Sequence, residues 1–274
     1  MERKESAFDV WAEGAAYEAY VGRWSRLVAR EFVRRLGVPR QRRWLDVGCG
    51  VGALVQAILE EADPAVVLGV DRSAAFLRQA RLNSTRAEAT FREGDAGALP
   101  VSSGSFDVAV SGLVLNFVPE PAAMVAEMAR GCRPGSTVAL YVWDYRGGME
   151  LIRHFWDAAA ALDPAARALD EAVRFPGCAP SPLEALFTSA GLRGVTTFAI
   201  DVPTVFRDLD DYWAPFLGGQ GPAPGYARSL PEEGRLALRE RLRRTLPAAP
   251  DGSISLTARA WAVTGTTPVG VARP

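Results

Sequence analysis

The stretch RRWLDVGCGVGAL, residues 42–54, limits what this chain can fold into more than any other. Trp44, Leu45 and Val47 form an apolar strand that runs into Gly48, Gly50 and Gly52, and a helix is expected from about Val51 to Leu59. A glycine-rich turn between a strand and a helix lets the backbone approach a ligand closely and directs the first helical amides at it. The turn is therefore a candidate binding site, and its ligand has to be decided from the rest of the chain.

From residue 43 to about residue 145 short apolar runs alternate with helical patterns. AVVLGVD (65–71) reads as the second strand, and in the RSAAFLRQARL that follows Ser73 is positioned to cap a helix whose Phe76, Leu77 and Ala80 share a face. ATFREGD (89–95), FDVAVSG (106–112) and GSTVALYVW (135–143) supply three more strands, and PAAMVAEMARGC is a helix with Pro121 in its first turn. Strand–helix–strand units at this spacing predict a parallel sheet covered on both faces. Residues 14–36 read as a leading helix, and ELIRHFWDAAAAL and PLEALFTSAGL as two later ones. GVTTFAIDVPTVF (194–206) and ISLTARAWAVTG (254–265) are the last strands. Between them DLDDYWAPFLGGQGPAPGY is expected to be a Gly/Pro-rich loop and PEEGRLALRERLRRTL an arginine-rich helix, so the final hairpin carries a cap. The fold class expected is α/β, a doubly wound and mostly parallel sheet with a terminal antiparallel strand and a helical cap between the last two strands.

Composition excludes several chemistries. The chain of 274 residues has one lysine, Lys4 in a charged N-terminal stretch, which leaves no residue for a Schiff base or a P-loop. Its one histidine, His154, cannot build a multi-histidine metal site, and Cys49, Cys132 and Cys178 are dispersed, so no metal is expected. The odd, unpaired cysteines point to a reducing compartment, MERKESAFDV does not read as a signal peptide, and no apolar run reaches the length of a membrane span; a cytoplasmic location is the expectation. A net charge of −1 gives no reason to expect nucleic acid as a partner. Arginine clusters at Arg34–Arg35, Arg40–Arg43 and Arg241–Arg244 read as solvated faces in a chain that uses arginine as its cation.

Taken alone, the glycine turn leaves two ligands open. Gly48, Gly50 and Ala53 satisfy the G-x-G-x-x-A form of a dinucleotide fingerprint, with Asp71 at the end of the second strand where a ribose would bind. Against a dinucleotide, Asp46 precedes the turn, where a carboxylate would accept loop amides or face a positive ligand but would oppose a pyrophosphate. Asp95 and the adjacent amide of Ala96, in GDAGALP, are suited to accept from an adenine amino group and donate to its ring nitrogen. No second nucleotide-binding half follows.

LDVGCGVGAL, VLGVDRS, EGDAGALP and FDVAVSGLVLNFVPEP, in this order, resemble the class I, Rossmann-like S-adenosylmethionine-dependent methyltransferases, especially the small-molecule and quinone-type subgroup. The resemblance covers residues 43–145, and YEAYVGRWS is similar to the leading helix of such enzymes. It implies S-adenosyl-L-methionine as cofactor, with Gly48, Cys49 and Gly50 along its methionine moiety and Asp71 on both ribose hydroxyls. It further implies Asp95 and Ala96 on the adenine, the backbone from Ser111 to Leu113 at the amino end, and Arg23 on the carboxylate. Two positions depart from the pattern: Arg72 stands where an apolar residue often meets the adenine, and its guanidinium plane is able to stack there instead. Asn116 stands where quinone-type members often carry histidine. The implied organisation is an N-terminal helical segment over the cofactor site (1–40), a core (41–207 and 251–268) and a cap insertion (208–250).

The resemblance implies a reaction in which positioning supplies much of the rate, with a base needed only for a protonated nucleophile. His154 is a candidate base, although a surface or half-buried structural histidine is the commoner explanation for such a residue. Tyr17, Tyr20, Asn116, Trp143, Tyr145, Tyr212 and Trp213 are the candidate substrate residues, suited to an aromatic or apolar small molecule; packing explains such aromatics too. The expected partner is that small molecule, with no nucleic acid, no membrane span and a possible homodimer. The alternatives are a nicotinamide-dependent oxidoreductase, on the strength of the glycine turn and Asp71, and a non-catalytic protein that binds S-adenosylmethionine.

Overall fold

The structure, a computed structural model, describes residues 22–218 and 221–269. Tyr17 and Tyr20 lie outside the described residues, as does the first part of the leading helix, which is observed over Arg23–Leu36.

Seven strands form the sheet: β1 (Arg43–Val47), β2 (Val66–Asp71), β3 (Ala89–Glu93), β4 (Phe106–Gly112), β5 (Cys132–Trp143), β6 (Arg193–Phe206) and β7 (Ile254–Thr266). Their order is β3-β2-β1-β4-β5-β7-β6. The first five run parallel to their neighbours. β7 runs against β5, because Thr267 N donates to Ser136 O and Asp144 N to Arg259 O, each at 2.9 Å, so rising numbers on one side meet falling numbers on the other. Strands with helices on both faces must be apolar on both faces. Trp44, Leu45, Val47, Val108, Ala109, Val110, Val138, Ala139 and Leu140 are accordingly all buried.

The chain divides into two compact units. Of the described residues, a sheet unit takes 26–142, 177–200 and 261–269, and a second unit takes 22–25, 143–176, 201–218 and 221–260. In the sheet unit the helix Ala53–Glu61 buries Leu54, Val55, Ile58 and Leu59. The helix Ala74–Asn83 starts at Ser73, whose hydroxyl accepts from Phe76 N at 3.2 Å and satisfies one of the four amides that a helix start leaves open.

The second unit is built around aromatic residues of the helix Glu150–Leu162. Phe155 stacks on Phe216 with centroids 4.4 Å apart, Trp156 meets Tyr226 at 5.5 Å, and the Tyr212 hydroxyl donates to Leu151 O at 2.8 Å. The loop expected over 208–226 is instead largely helical, with Leu209–Trp213, a 3-10 turn Ala214–Leu217 and Pro222–Ser229. Asp208 accepts from Asp211 N at 2.8 Å and starts the first of these, and Pro222 occupies the first turn of the last, so the polar and proline residues act here as helix starts. Two short helical pieces, Pro164–Leu169 and Glu171–Arg174, were not expected; each is capped by the aspartate before it, Asp163 and Asp170. No described helix is long and apolar enough to cross a membrane.

Candidate functional site

The glycine turn lies wholly within the sheet unit, and the backbone of β2 holds it in place. Gly48 N and Cys49 N both donate to Val70 O, at 2.7 and 3.0 Å, and Gly52 N closes the turn onto Cys49 O at 2.8 Å. Gly48, Gly50 and Gly52 have φ of 75°, 52° and 91°, the left-handed region where a Cβ is strained. Gly48 is required for a second reason: a Cβ there would stand 2.6 Å from the methyls of Val114. The turn is therefore pinned between β2 and the segment after β4, where Leu113 itself has φ of 63°. Nothing in the sequence marks the role of Val114, which acts through a contact 66 residues away, and the left-handed backbone of Leu113, a residue the resemblance places at the cofactor's amino end, has no signal because it is not a glycine.

Two carboxylates flank the turn, in different states. Asp71, at the end of β2, accepts from Gly50 N through Oδ2 at 2.9 Å and from Ser73 N through Oδ1 at 2.8 Å. Each oxygen keeps a lone pair for a further donor such as a hydroxyl. Asp46, on β1, has zero exposure, and both of its oxygens lack a hydrogen-bond partner among the described residues. Of the two roles expected for Asp46, accepting loop amides or facing a positive ligand, the first is not observed: Val70 O takes two of the amides and Asp71 a third. Burial first, and then the Asp71 charge, push the Asp46 carboxyl up to about 8. Burial likewise raises the Cys49 thiol, whose sulfur sits where a Cβ on Gly69 would be, 2.8 Å away.

Around this centre the other expected residues are placed as follows. Ser111 is buried, and its hydroxyl donates to Val47 O at 2.7 Å, tying β4 to the end of β1. Asp95 is exposed, with Oδ1 accepting from Gly97 N at 2.7 Å, while the neighbouring Ala96 amide makes no hydrogen bond among the described residues. Arg72 is exposed and Asn116 half-buried, with the Asn116 Nδ2 enclosed and lacking an acceptor. Arg23 opens the helix Arg23–Leu36, but its side chain is outside the description. No cluster of three or more histidine, cysteine or acidic side chains able to hold a metal occurs among the described residues.

The remaining candidates belong to the second unit. Trp143, Tyr145, Tyr212 and Trp213 are buried, Tyr212 completely and with its hydroxyl satisfied. His154 is half-buried on the helix Glu150–Leu162, and burial lowers its pKa against the opposing pull of Glu150 and Asp157. Sequence reading overlooked Glu171. It is 2% exposed, the Trp156 indole N–H donates to its Oε2, and burial pushes its carboxyl up to about 7. No sequence signal exists for it, since a glutamate in the first turn of a helix is ordinarily a solvated residue.

Electrostatically the turn suits a cationic ligand. The desolvated Asp46 carboxyl beside the turn becomes an anion only against a positive charge, which suits a cationic group there better than a diphosphate. The enclosed oxygens of Asp46 fit an ammonium group, and Asp71 fits vicinal hydroxyls.

A family model described as a methyltransferase domain matches residues 45–140. The ubiquinone biosynthesis O-methyltransferase of Paracidovorax citrulli is 38% identical over 101 residues, 35% of this chain and 42% of that protein. Curated relatives are matched over only 28% to 42% of their own length. Among solved structures, the YcgJ protein of Bacillus subtilis superposes with a TM-score of 0.58 at 17% identity, covering 90% of this chain and 100% of that one. Phosphoethanolamine N-methyltransferase 2 of Haemonchus contortus, in complex with phosphomonomethylethanolamine and S-adenosylhomocysteine, gives a TM-score of 0.56 at 15% identity, covering 93% of this chain and 56% of that one.

Proposed function

With residues 45–140 forming a methyltransferase domain of the class I fold, we propose that this chain transfers a methyl group from S-adenosyl-L-methionine to a small-molecule acceptor. The observation that carries the cofactor assignment is the buried, unpartnered Asp46 beside a glycine turn. A cationic amino-acid nucleoside fits that turn, whereas the diphosphate of a nicotinamide cofactor does not. The relative solved with S-adenosylhomocysteine supports the same choice.

In this reading Gly48, Cys49 and Gly50 line the methionine moiety, and Asp46 faces its ammonium. Asp71 holds the ribose hydroxyls with its remaining lone pairs, while Asp95 and the Ala96 amide meet the adenine. When bound, the cofactor supplies a methyl already activated on a sulfonium. The chain then has to fix the orientation of the reacting groups and exclude water, which accounts for a large share of rate acceleration in reactions of this kind. His154, the candidate base, belongs to the second unit, and burial lowers its pKa, which favours the neutral imidazole that a proton acceptor requires. The O-methyltransferase relative supports an apolar or aromatic acceptor.

The test is calorimetric titration with S-adenosylhomocysteine, followed by assays of methyl transfer to phenols, quinols and amines. Binding together with turnover of one acceptor class establishes the function. Binding to nicotinamide dinucleotides and not to S-adenosylhomocysteine overturns it.

A further inference from the structure

The state of Asp46 in the ligand-free protein carries an inference that rests on the cofactor reading above. The residue lies on the second-last position of β1, paired in register with Gly69 of β2 and Val110 of β4, with no exposed surface. Neither oxygen receives a hydrogen bond. The titratable groups that face it are the Asp71 carboxyl from the end of β2 and the Cys49 thiol from the glycine turn, which burial pushes up. Arg81, on the helix Ala74–Asn83, acts on Cys49, but no described cation acts on Asp46. The nearest amides are already committed, those of Gly48 and Cys49 to Val70 O and that of Gly50 to Asp71. Serine at 111 offers no donor either, because its hydroxyl points to Val47 O.

A charged carboxylate in such a place has lost its hydration and received nothing in exchange, and the ordinary response of the group is to hold a proton. We infer that Asp46 is a carboxylic acid in the ligand-free protein and releases its proton to solvent when a cationic cofactor occupies the glycine turn, so that cofactor binding is proton-linked. In this step the O–H bond of the carboxyl breaks heterolytically. The electron pair stays on the carboxylate, the proton passes to buffer, and the ligand's ammonium becomes the counter-charge that no described residue provides. The turn is therefore a site whose charge is completed by its ligand, and whose affinity rises with pH across the range in which the free carboxyl titrates.

The sign follows from linkage. Binding releases protons, so the association constant grows with pH, by up to about tenfold per pH unit between the bound and free pKa values, and levels off above the free value. At neutral pH close to one proton is released per ligand, whereas a preionised Asp46 would release none. An unlinked site would bind with a heat independent of the buffer.

The experiment is calorimetric titration of the full chain with S-adenosylhomocysteine at neutral pH, in phosphate and again in Tris, whose ionisation heats differ widely. The expected result is a heat of binding that differs between the buffers by about one proton's ionisation enthalpy, and loss of that difference in Asp46→Asn, whose affinity is weaker and flat with pH. Binding with equal heats in both buffers overturns the inference and leaves the cofactor reading standing. Absence of binding overturns both. Should Asp46→Asn not fold, infrared difference spectroscopy of the natural protein serves instead. A protonated-carboxyl carbonyl band that disappears on adding S-adenosylhomocysteine supports the inference, and an unchanged spectrum in that region refutes it.

Discussion

The carboxylate of Asp71 receives the amide of Gly50 at 2.9 Å, so the acidic end of β2 and the glycine turn after β1 are one hydrogen-bonded object. The second oxygen holds Ser73 N at 2.8 Å and thereby starts the helix Ala74–Asn83. Asp71→Ala removes both contacts together with the acceptors for the cofactor's ribose. Charge-assisted hydrogen bonds contribute about 1.5–3 kcal/mol each. We therefore expect the variant to bind S-adenosylhomocysteine at least about tenfold more weakly by calorimetry, with a lowered melting temperature; unchanged affinity would remove Asp71 from the site.

A methyl group at position 48 meets Val114 at 2.6 Å and forces a non-glycine residue to φ of 75°. Gly48→Ala therefore carries two penalties, a left-handed strain of about 1–2 kcal/mol and a steric one. Val114→Ala relieves only the second. Thermal denaturation of both single variants and the double variant should show partial rescue: the double variant melts above Gly48→Ala and below the natural protein. Full additivity of the two single effects would show that Val114 does not confine the turn.

The pH dependence of stability follows from the raised carboxyls. Asp46 titrates near 3.8 when unfolded and at about 8 when folded, and Glu171 moves from 4.5 to about 7. Across these windows the folded state binds more protons than the unfolded state, so the stability each group contributes is fully present below its unfolded pKa and is lost as pH rises through its folded pKa. The ligand-free protein should accordingly melt at lower temperature at pH ~8 than at pH ~5. Asp46→Asn should flatten the fall over the upper part of that range, a result read by calorimetric scanning at several pH values.

Trp156 donates its indole N–H to Glu171, a carboxyl with 2% exposure. Trp156→Phe keeps the ring's bulk and deletes the donor. Leaving a buried acceptor unsatisfied costs about 1–3 kcal/mol, more when it is charged. The destabilisation should be larger above the titration of Glu171 than below it, and Glu171→Gln in the Trp156→Phe background should remove that pH dependence. An equal loss at low and high pH would mean that the pair contributes only packing.

The sheet was legible where burial on both faces demands unbroken apolar runs, as in WLDV, VVLGV and FDVAV, and where glycine, proline and serine mark turns and helix starts. The same local logic misled over residues 208–226, since Asp208, Pro215 and Pro222 suit a helix start as well as a loop and only the aromatic residues between them, packing on Phe155, decide. The glycine turn was legible as a turn, and the state of the carboxyls beside it was not. Asp46 was singled out from its place in the glycine motif, but whether it accepts amides depends on where Val70 O and Asp71 lie, and those belong to another strand. Val114 and Glu171 left no mark, because their roles arise from contacts with Gly48 and Trp156 that no periodicity encodes.

The strand order has a consequence for the nascent chain. β7 is made last yet lies between β5 and β6, so a ribosome-bound chain that has emerged as far as residue 250 holds two strands awaiting the same partner. Unpaired edges of this kind are templates for pairing with other chains. The interval between translation of Arg193–Phe206 and of Ile254–Thr266 is therefore when this protein is most exposed to misassembly, and vectorial synthesis can close the sheet only once its thirteen-residue central filler has left the exit tunnel.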